Sequence, residues 1–279
     1  MRKNNRMSVF ASLALSLVLL CGLFTLAAGA VGGVLAGDGS AETPYEIADA
    51  ADLAAFRDLV NATPSSTANA VLVADIDLEN QNWKRIFPDS GYITEAYAGT
   101  FDGAFHTIKG LNVNNASAAN QGLFGGIGLA TVDGKTVTAT VKNLNVEGSV
   151  TASNNNVGGI VGQVNAGSVI NCSFTGSVSS SKAKANIGGI VGYVNGDKPD
   201  KKPGVVLSGC VNRASVETAK DAKNTVAGGI VGYAKYTEIT DCYNTGTVSG
   251  TSRTGGIGGQ LQNNVTAANC YNIGKMNGA

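Results

Sequence analysis

Short runs in which apolar and polar residues alternate occupy most of the chain. Examples are "NAVLVADIDL" at 69–78, "GGIVGQV" at 158–164 and "SVINCSF" at 168–174, with Asn, Gly and Ser collected between such runs. Period-two runs of this length, bounded by turn residues, predict short strands. One stretch departs from the pattern. In "PYEIADAADLAAFRDLVNATP", Leu53, Phe56, Leu59 and Val60 recur at helical spacing, Asp49 stands where a cap is needed and Pro64 follows the end. That spacing predicts one helix. No repeat unit carries an apolar stripe at helical spacing over ten residues, which excludes a helical solenoid.

The alternating runs recur in a fixed frame. "NVGGIVGQV" at 156–164 returns as "NIGGIVGYV" at 186–194, "VAGGIVGYA" at 226–234 and, more weakly, "TGGIGGQL" at 254–261. A second block follows each: "NCSFTGSV" from Asn171, "GCVNRASV" from Gly209, "DCYNTGTV" from Asp241 and "NCYNIGKM" from Asn269. Glycine and cysteine lie 14 or 15 residues apart in three copies and 22 apart in the fourth, where "NGDKPDKKPG" at 195–204 accounts for the excess. An earlier copy reads "QGLFGGI" at 121–127 and "NLNVEGSV" at 143–150, and "IKGLNVNN" at 108–115 carries the second half alone. Aligned this way, one apolar slot reads Leu111, Leu144, Cys172, Cys210, Cys242, Cys270. A constant frame with an identifiable insertion marks a true repeat, and units of about 27–40 residues holding two or three strands fit turns of a parallel β-helix. Stacked turns at the strand spacing of ~4.8 Å would pile like residues into ladders, with Ile160, Ile190, Ile230 and Ile257 forming another. The helix is expected to cover the first turn, since an open solenoid end exposes core and backbone edge.

"GTFDGAFHTIKGLNVNN" at 99–115, "QGLFG" at 121–125 and the "GGIVG" blocks resemble the GLUG repeat of bacterial secreted and cell-surface proteins. The segments "GSAETPYEIADAADLAAFRDLV" and "VLVADIDL" resemble the cap that introduces such repeats. The resemblance implies an all-β fold, a right-handed parallel β-helix (solenoid) with a short N-terminal α-helical cap. It also implies an extracellular role, as in adhesins or accessory regions of large surface proteins, including some immunoglobulin-cleaving peptidases. It carries no catalytic assignment. "DGAFH" departs from the usual Asp-Gly-Asn-Gly-His, placing Ala104-Phe105 where a tight turn pair is expected. The organisation read from these segments is a signal peptide over 1–36, a cap over 37–98 and repeats over 99–279, continuing beyond the chain or pairing with something else at the C-terminal end.

Composition sharpens this picture at three points. Gly makes up 38 of 279 residues, about twice the usual ~7%, as a turn-rich chain requires. Arg2, Lys3 and Arg6 precede an apolar run from Val9 to Ala28, followed by the small-residue sites Ala28-Gly29-Ala30 and Val34-Leu35-Ala36, the layout of an export signal. Left uncleaved, that run approaches the length of a membrane anchor. Removal of the leader takes three of 20 basic and none of 20 acidic residues, leaving a net charge of −3. No basic face with stacking aromatics is present, so nucleic acid is not an expected partner.

Candidate chemistry is sparse. "GGIVG" lacks the spacing and helix of a dinucleotide loop. Cysteine gaps of 38, 32 and 28 residues and a single His106 do not make a zinc site, and no cofactor is expected. Of the five cysteines, Cys21 falls in the leader, and the other four pack as buried thiols or pair as disulfides between adjacent turns. Asp102 and His106 could form an acid–base pair, but Asp102-Gly103 reads as a turn. Polysaccharide cleavage needs clustered carboxylates, and only Asp75 and Asp77 share a strand face. The insert with Lys198, Lys201 and Lys202 is a possible partner-contact loop, and 128–143 is a second insertion. The expected function is an exported adhesive or scaffolding segment without catalysis, bound to an unidentified protein or glycan. Its alternatives are a polysaccharide-active β-helix and an accessory region of a surface peptidase.

Overall fold

The computed structural model describes residues 35–63, 66–87, 96–115, 118–196 and 204–278. The expected signal peptide over 1–36 lies outside these residues up to position 34, and among the described residues no helix is long and apolar enough to cross a membrane.

The alternating runs form parallel strands that wind through four sheets in a fixed order. In one coil, Val161–Val164 belongs to sheet IV, Gly167–Ile170 to sheet I, Ser173–Ser180 to sheet II and Asn186–Gly188 to sheet III, after which Val191–Asn195 returns to sheet IV. Each strand pairs in parallel with its counterpart one coil away: Val161 with Val191, Val169 with Leu207, Val178 with Val216 and Gly188 with Gly228. Inward side chains such as Val164, Val169, Phe174, Val178 and Ile187 are fully buried, each worth roughly 1.5–3 kcal/mol. The fold is an all-β solenoid.

Sheet I spans eight strands from Tyr45–Ile47 through Ala70–Leu72 and Thr100–Asp102 to Thr266–Ala268. The cap strands therefore join the same ladder as the repeats. The run at 69–78 turns a corner, giving Ala70–Leu72 to sheet I and Ile76–Asp77 to sheet II. Helix α1 spans Ala50–Ala62. The Asp49 carboxylate accepts from the Ala51 and Asp52 N–H groups at 2.8 and 2.9 Å, satisfying donors that the first turn leaves open. Phe56 on its buried face meets Tyr45, Tyr97 and Phe101 at centroid distances of 6.4, 6.1 and 5.8 Å, and Phe124 continues the cluster 5.3 Å from Phe101. This aromatic plug closes the N-terminal coil.

The register corrects one alignment. Leu144 and Cys172 share a column, since the adjoining Asn145 pairs with Ser173, but Leu111 pairs with Gly148 and Leu144 lies beside His106. A bulge between Ile108 and Leu111 adds a residue to the Thr107–Asn115 strand. Gly110, at φ 71°, supplies the left-handed backbone it needs. Leu111 is fully buried, in a different column from the cysteines.

Candidate functional site

The corner between sheets I and II is set by one backbone conformation. Asn143, Asn171, Asp241 and Asn269 have φ between 52° and 55°, and Gly209 has φ 64°. Asn, Asp and Gly are the residues that tolerate the left-handed region, which explains the residue before each Leu or Cys of the slot. The side chains also chain together: Asn143 donates to Asp102 at 3.1 Å, Asn171 to Asn143 at 3.2 Å and Asn269 to Asp241 at 3.1 Å.

Past this corner the chain turns each cysteine inward. Cys172, Cys210 and Cys242 are buried, Cys270 is half-buried, and all four are free thiols. Each Sγ donates to the carbonyl two residues back and to one on the preceding coil. Cys172 reaches Ile170 and Val141 at 3.3 and 3.6 Å, and Cys242 reaches Thr240 and Leu207 at 3.2 and 3.6 Å. Burial pushes the Cys172 thiol up to about 12. Contact with the Cys210 thiol, followed by burial, raises Cys242 further. A thiol held protonated is a poor nucleophile and a poor metal ligand.

Two residues beyond the cysteines lies a column the sequence reading missed. Phe174, Asn212, Asn244 and Asn272 are in register, and Asn212 and Asn244 are fully buried. Asn212 donates to Ala214 O at 3.0 Å and to Asn244 Oδ1 at 2.7 Å, while its own Oδ1 accepts from Ala214 N–H at 3.0 Å. Asn244 repeats the pattern with Gly246 and Asn272. The signal was present as Cys-x-Asn in three successive copies.

This column also accounts for the glycine block. A Cβ on Gly189 would overlap the Asn212 side chain and the Gly229 carbonyl, and one on Gly158 would overlap the Val161 carbonyl. Neither residue has positive φ. Glycine is required because the sheet III to sheet IV corner presses onto the core column and the next coil.

The titratable candidates are arranged across coils. His106 Nδ1 lies 3.0 Å from Asp75 Oδ1, which also accepts from Thr107 N–H, and Lys109 Nζ lies 3.1 Å from Asp77. Lys142 Nζ lies 3.1 Å from Asp102, whose other oxygen accepts from Ala104 N–H and Asn143. Asp102 and His106 are thus held by different partners, and each aspartate faces a lysine or the His106 imidazole one coil away. Thr107 N–H and His106 hold Asp75 below the usual carboxylate range. Burial opposes the same effect at Asp102, where Ala104 N–H, Lys142 and Asn143 outweigh it. Between Asp102 and His106, Ala104 and Phe105 both take positive φ, 46° and 66°.

The two insertions leave from the same corner, between sheets IV and I. One is an antiparallel hairpin, Leu129–Val132 with Lys135–Thr138. It turns on Asp133 and Gly134 at φ 48° and 73°, an Asp-Gly hairpin turn. It sits between Phe124–Ile127 of sheet IV and Thr140–Lys142 of sheet I, and Leu129 and Val132 are exposed. Lys198, Lys201 and Lys202 lie outside the described residues, in the segment joining Val191–Asn195 of sheet IV to Val205–Ser208 of sheet I. Among the described residues no three His, Cys, Asp or Glu side chains cluster as metal ligands.

Residues 153–179 and 223–249 match the GLUG motif. Over 152 residues the chain is 34% identical to halomucin of Haloquadratum walsbyi, a span covering 52% of this chain and 2% of that protein. It therefore corresponds to a small part of the curated relative it matches. A crystal structure from Bacteroides ovatus, titled as a candidate immunoglobulin A1 protease, aligns with a TM-score of 0.65 at 21% identity, over 87% of this chain and 79% of the other. Likeness at that identity is likeness of fold.

Proposed function

We propose that this GLUG-repeat solenoid is an exported, non-catalytic scaffold segment of a cell surface, which holds lateral faces and corner insertions out toward a partner. The observation that carries the reading is sheet I, whose parallel register runs without a break from Tyr45–Ile47 to Thr266–Ala268. A ladder of that length fixes the spacing of everything attached to it. The aspartates favour structure over chemistry, because Asp77 and Asp102 each engage a lysine and Asp75 the His106 imidazole on the next coil, whereas hydrolysis by paired carboxylates needs two acids facing one bond. The leader and the likeness to part of halomucin support a surface location. The Bacteroides ovatus title makes an accessory region of a surface peptidase a variant of the same reading. Contact is assigned to the sheet IV to sheet I corner, where the hairpin projects and where the sequence inserts the Lys198, Lys201 and Lys202 segment, with a protein or glycan as partner.

The test uses the full chain coupled to beads or displayed on cells. Replacing residues 128–138 by the Asn-Ala corner found at Asn165-Ala166, which keeps buried Ala139 at the position of Gly167, should preserve the thermal transition and reduce adhesion to cells or matrix. Unchanged adhesion removes the hairpin from the contact surface. Release of sugar or peptide products from a substrate panel overturns the non-catalytic reading.

A further inference from the structure

The outer face of sheet II carries a groove of about 330 Å³ lined by Thr107, Asn145, Val146, Glu147, Ser173, Thr175 and Arg213. Its shape follows from the register. Glu147 pairs with Thr175, and Phe174 pairs with Asn212, which sets Thr175 beside Arg213. The short Thr175 therefore separates a long acid on one coil from a long base two coils away, about 9.6 Å apart along the backbone at the usual strand spacing. Ser173 and Asn145 form the parallel inner row.

The floor is preorganised. Asn145 Nδ2 donates to Phe105 O at 3.0 Å and its Oδ1 accepts from Ser173 Oγ at 2.7 Å, so the amide is held at both ends. The walls are different. Three aspartates nearer the N-terminus each meet a basic side chain on the next coil, Asp75 the His106 imidazole, Asp77 Lys109 and Asp102 Lys142. The exposed side chains of Glu147 and Arg213 take no part in the hydrogen bonds and ion pairs that tie the other charges down.

We propose that this groove binds a neutral glycan, with Arg213 donating to sugar hydroxyls at one end, Glu147 accepting from them at the other, and Ser173 and Thr175 contacting the ring between. The charge pattern selects the class. One acid and one base leave the groove without net charge, so an anionic chain meets Glu147 unfavourably and a cationic one meets Arg213. The lining is mainly polar, its one aliphatic residue, Val146, being almost fully buried, which gives a peptide side chain little to pack against, whereas a hydroxyl that both donates and accepts satisfies a guanidinium and a carboxylate in turn. The inference rests on the non-catalytic contact reading, since it names one partner of that scaffold.

The test is titration of the full chain with neutral gluco-, manno- and galacto-oligosaccharides, with sulfated and uronate-bearing oligosaccharides alongside. Binding of a neutral oligosaccharide, weakened about tenfold or more by Arg213→Ala and by Glu147→Gln, is expected. The melting temperature of both variants should be unchanged, because both positions are exposed. Binding confined to the anionic set, binding indifferent to both variants, or no binding at all overturns the assignment. Recovery of the bound oligosaccharide intact is part of the expected result; recovery of cleaved product would overturn the non-catalytic reading and leave the groove assignment standing.

Discussion

Asn212 donates to Asn244 Oδ1 at 2.7 Å with both side chains fully buried, so the solenoid interior is stitched by amides as well as filled by aliphatic side chains. Asn244 binds Asn212, Gly246 and Asn272 at once. Asn244→Ala strands these partners, and the expected loss is about 3 kcal/mol, measured by urea unfolding. Asn272→Ala, at a half-buried position, should cost about 1 kcal/mol.

The Ala104-Phe105 turn is strained, with both residues at positive φ and His106 N–H bonded to Gly103 O at 2.7 Å. Asn-Gly suits such a turn. Ala104→Asn with Phe105→Gly should raise stability by about 1–2 kcal/mol, read from the denaturation midpoint. A fall would show that exposed Phe105 contributes more than its backbone costs.

Two glycines predict opposite outcomes. Gly189→Ala forces a methyl into Asn212 and the Gly229 backbone, while among the described residues no atom lies within 4 Å of the same group on Gly204. The first should cost about 3 kcal/mol or more; the second should lie within about 0.5 kcal/mol of the wild type.

The thiols predict an alkaline transition. The folded-state pKa of Cys172 is pushed up to about 12, against about 8.5 for an unfolded cysteine. A raised acid favours the fold while protonated, so this contribution is complete below about pH 8.5 and is lost as pH rises toward 12. Thermal melts across that window should fall steeply for the wild type and less steeply for Cys172→Ala, whose stability at pH 7 is lower by the lost packing.

Much of this architecture was legible because a solenoid writes each structural requirement several times. The glycine block, the cysteine slot and the helix spacing at Leu53, Phe56 and Val60 each correspond to one place in the coil. The misplacement of Leu111 came from matching letters: "GLNV" and "NLNV" look alike, but the bulge at Gly110 shifts one against the other. The Asn212 column was unreadable for a different reason. Asparagine after a strand reads as a turn residue, and only the cross-section shows that it points inward against Gly189. The partners of Asp75 and Asp102 depend on register across 31 to 40 residues, which no local pattern encodes. The groove at Glu147 and Arg213 has the same origin, since residues 66 positions apart become neighbours only when the coils are stacked.

The corner between sheets IV and I has a consequence for how such a chain changes over time. One coil crosses it with Asn165-Ala166, and another crosses it with a whole hairpin, yet Ile127 still pairs with Val164 and Thr140 with Ser168 on either side. Each rung is clamped by the rungs above and below, so length can be added at this edge without disturbing the spine. Selection can therefore exchange what projects there independently of the rod that carries it, as a tool is changed on a fixed handle.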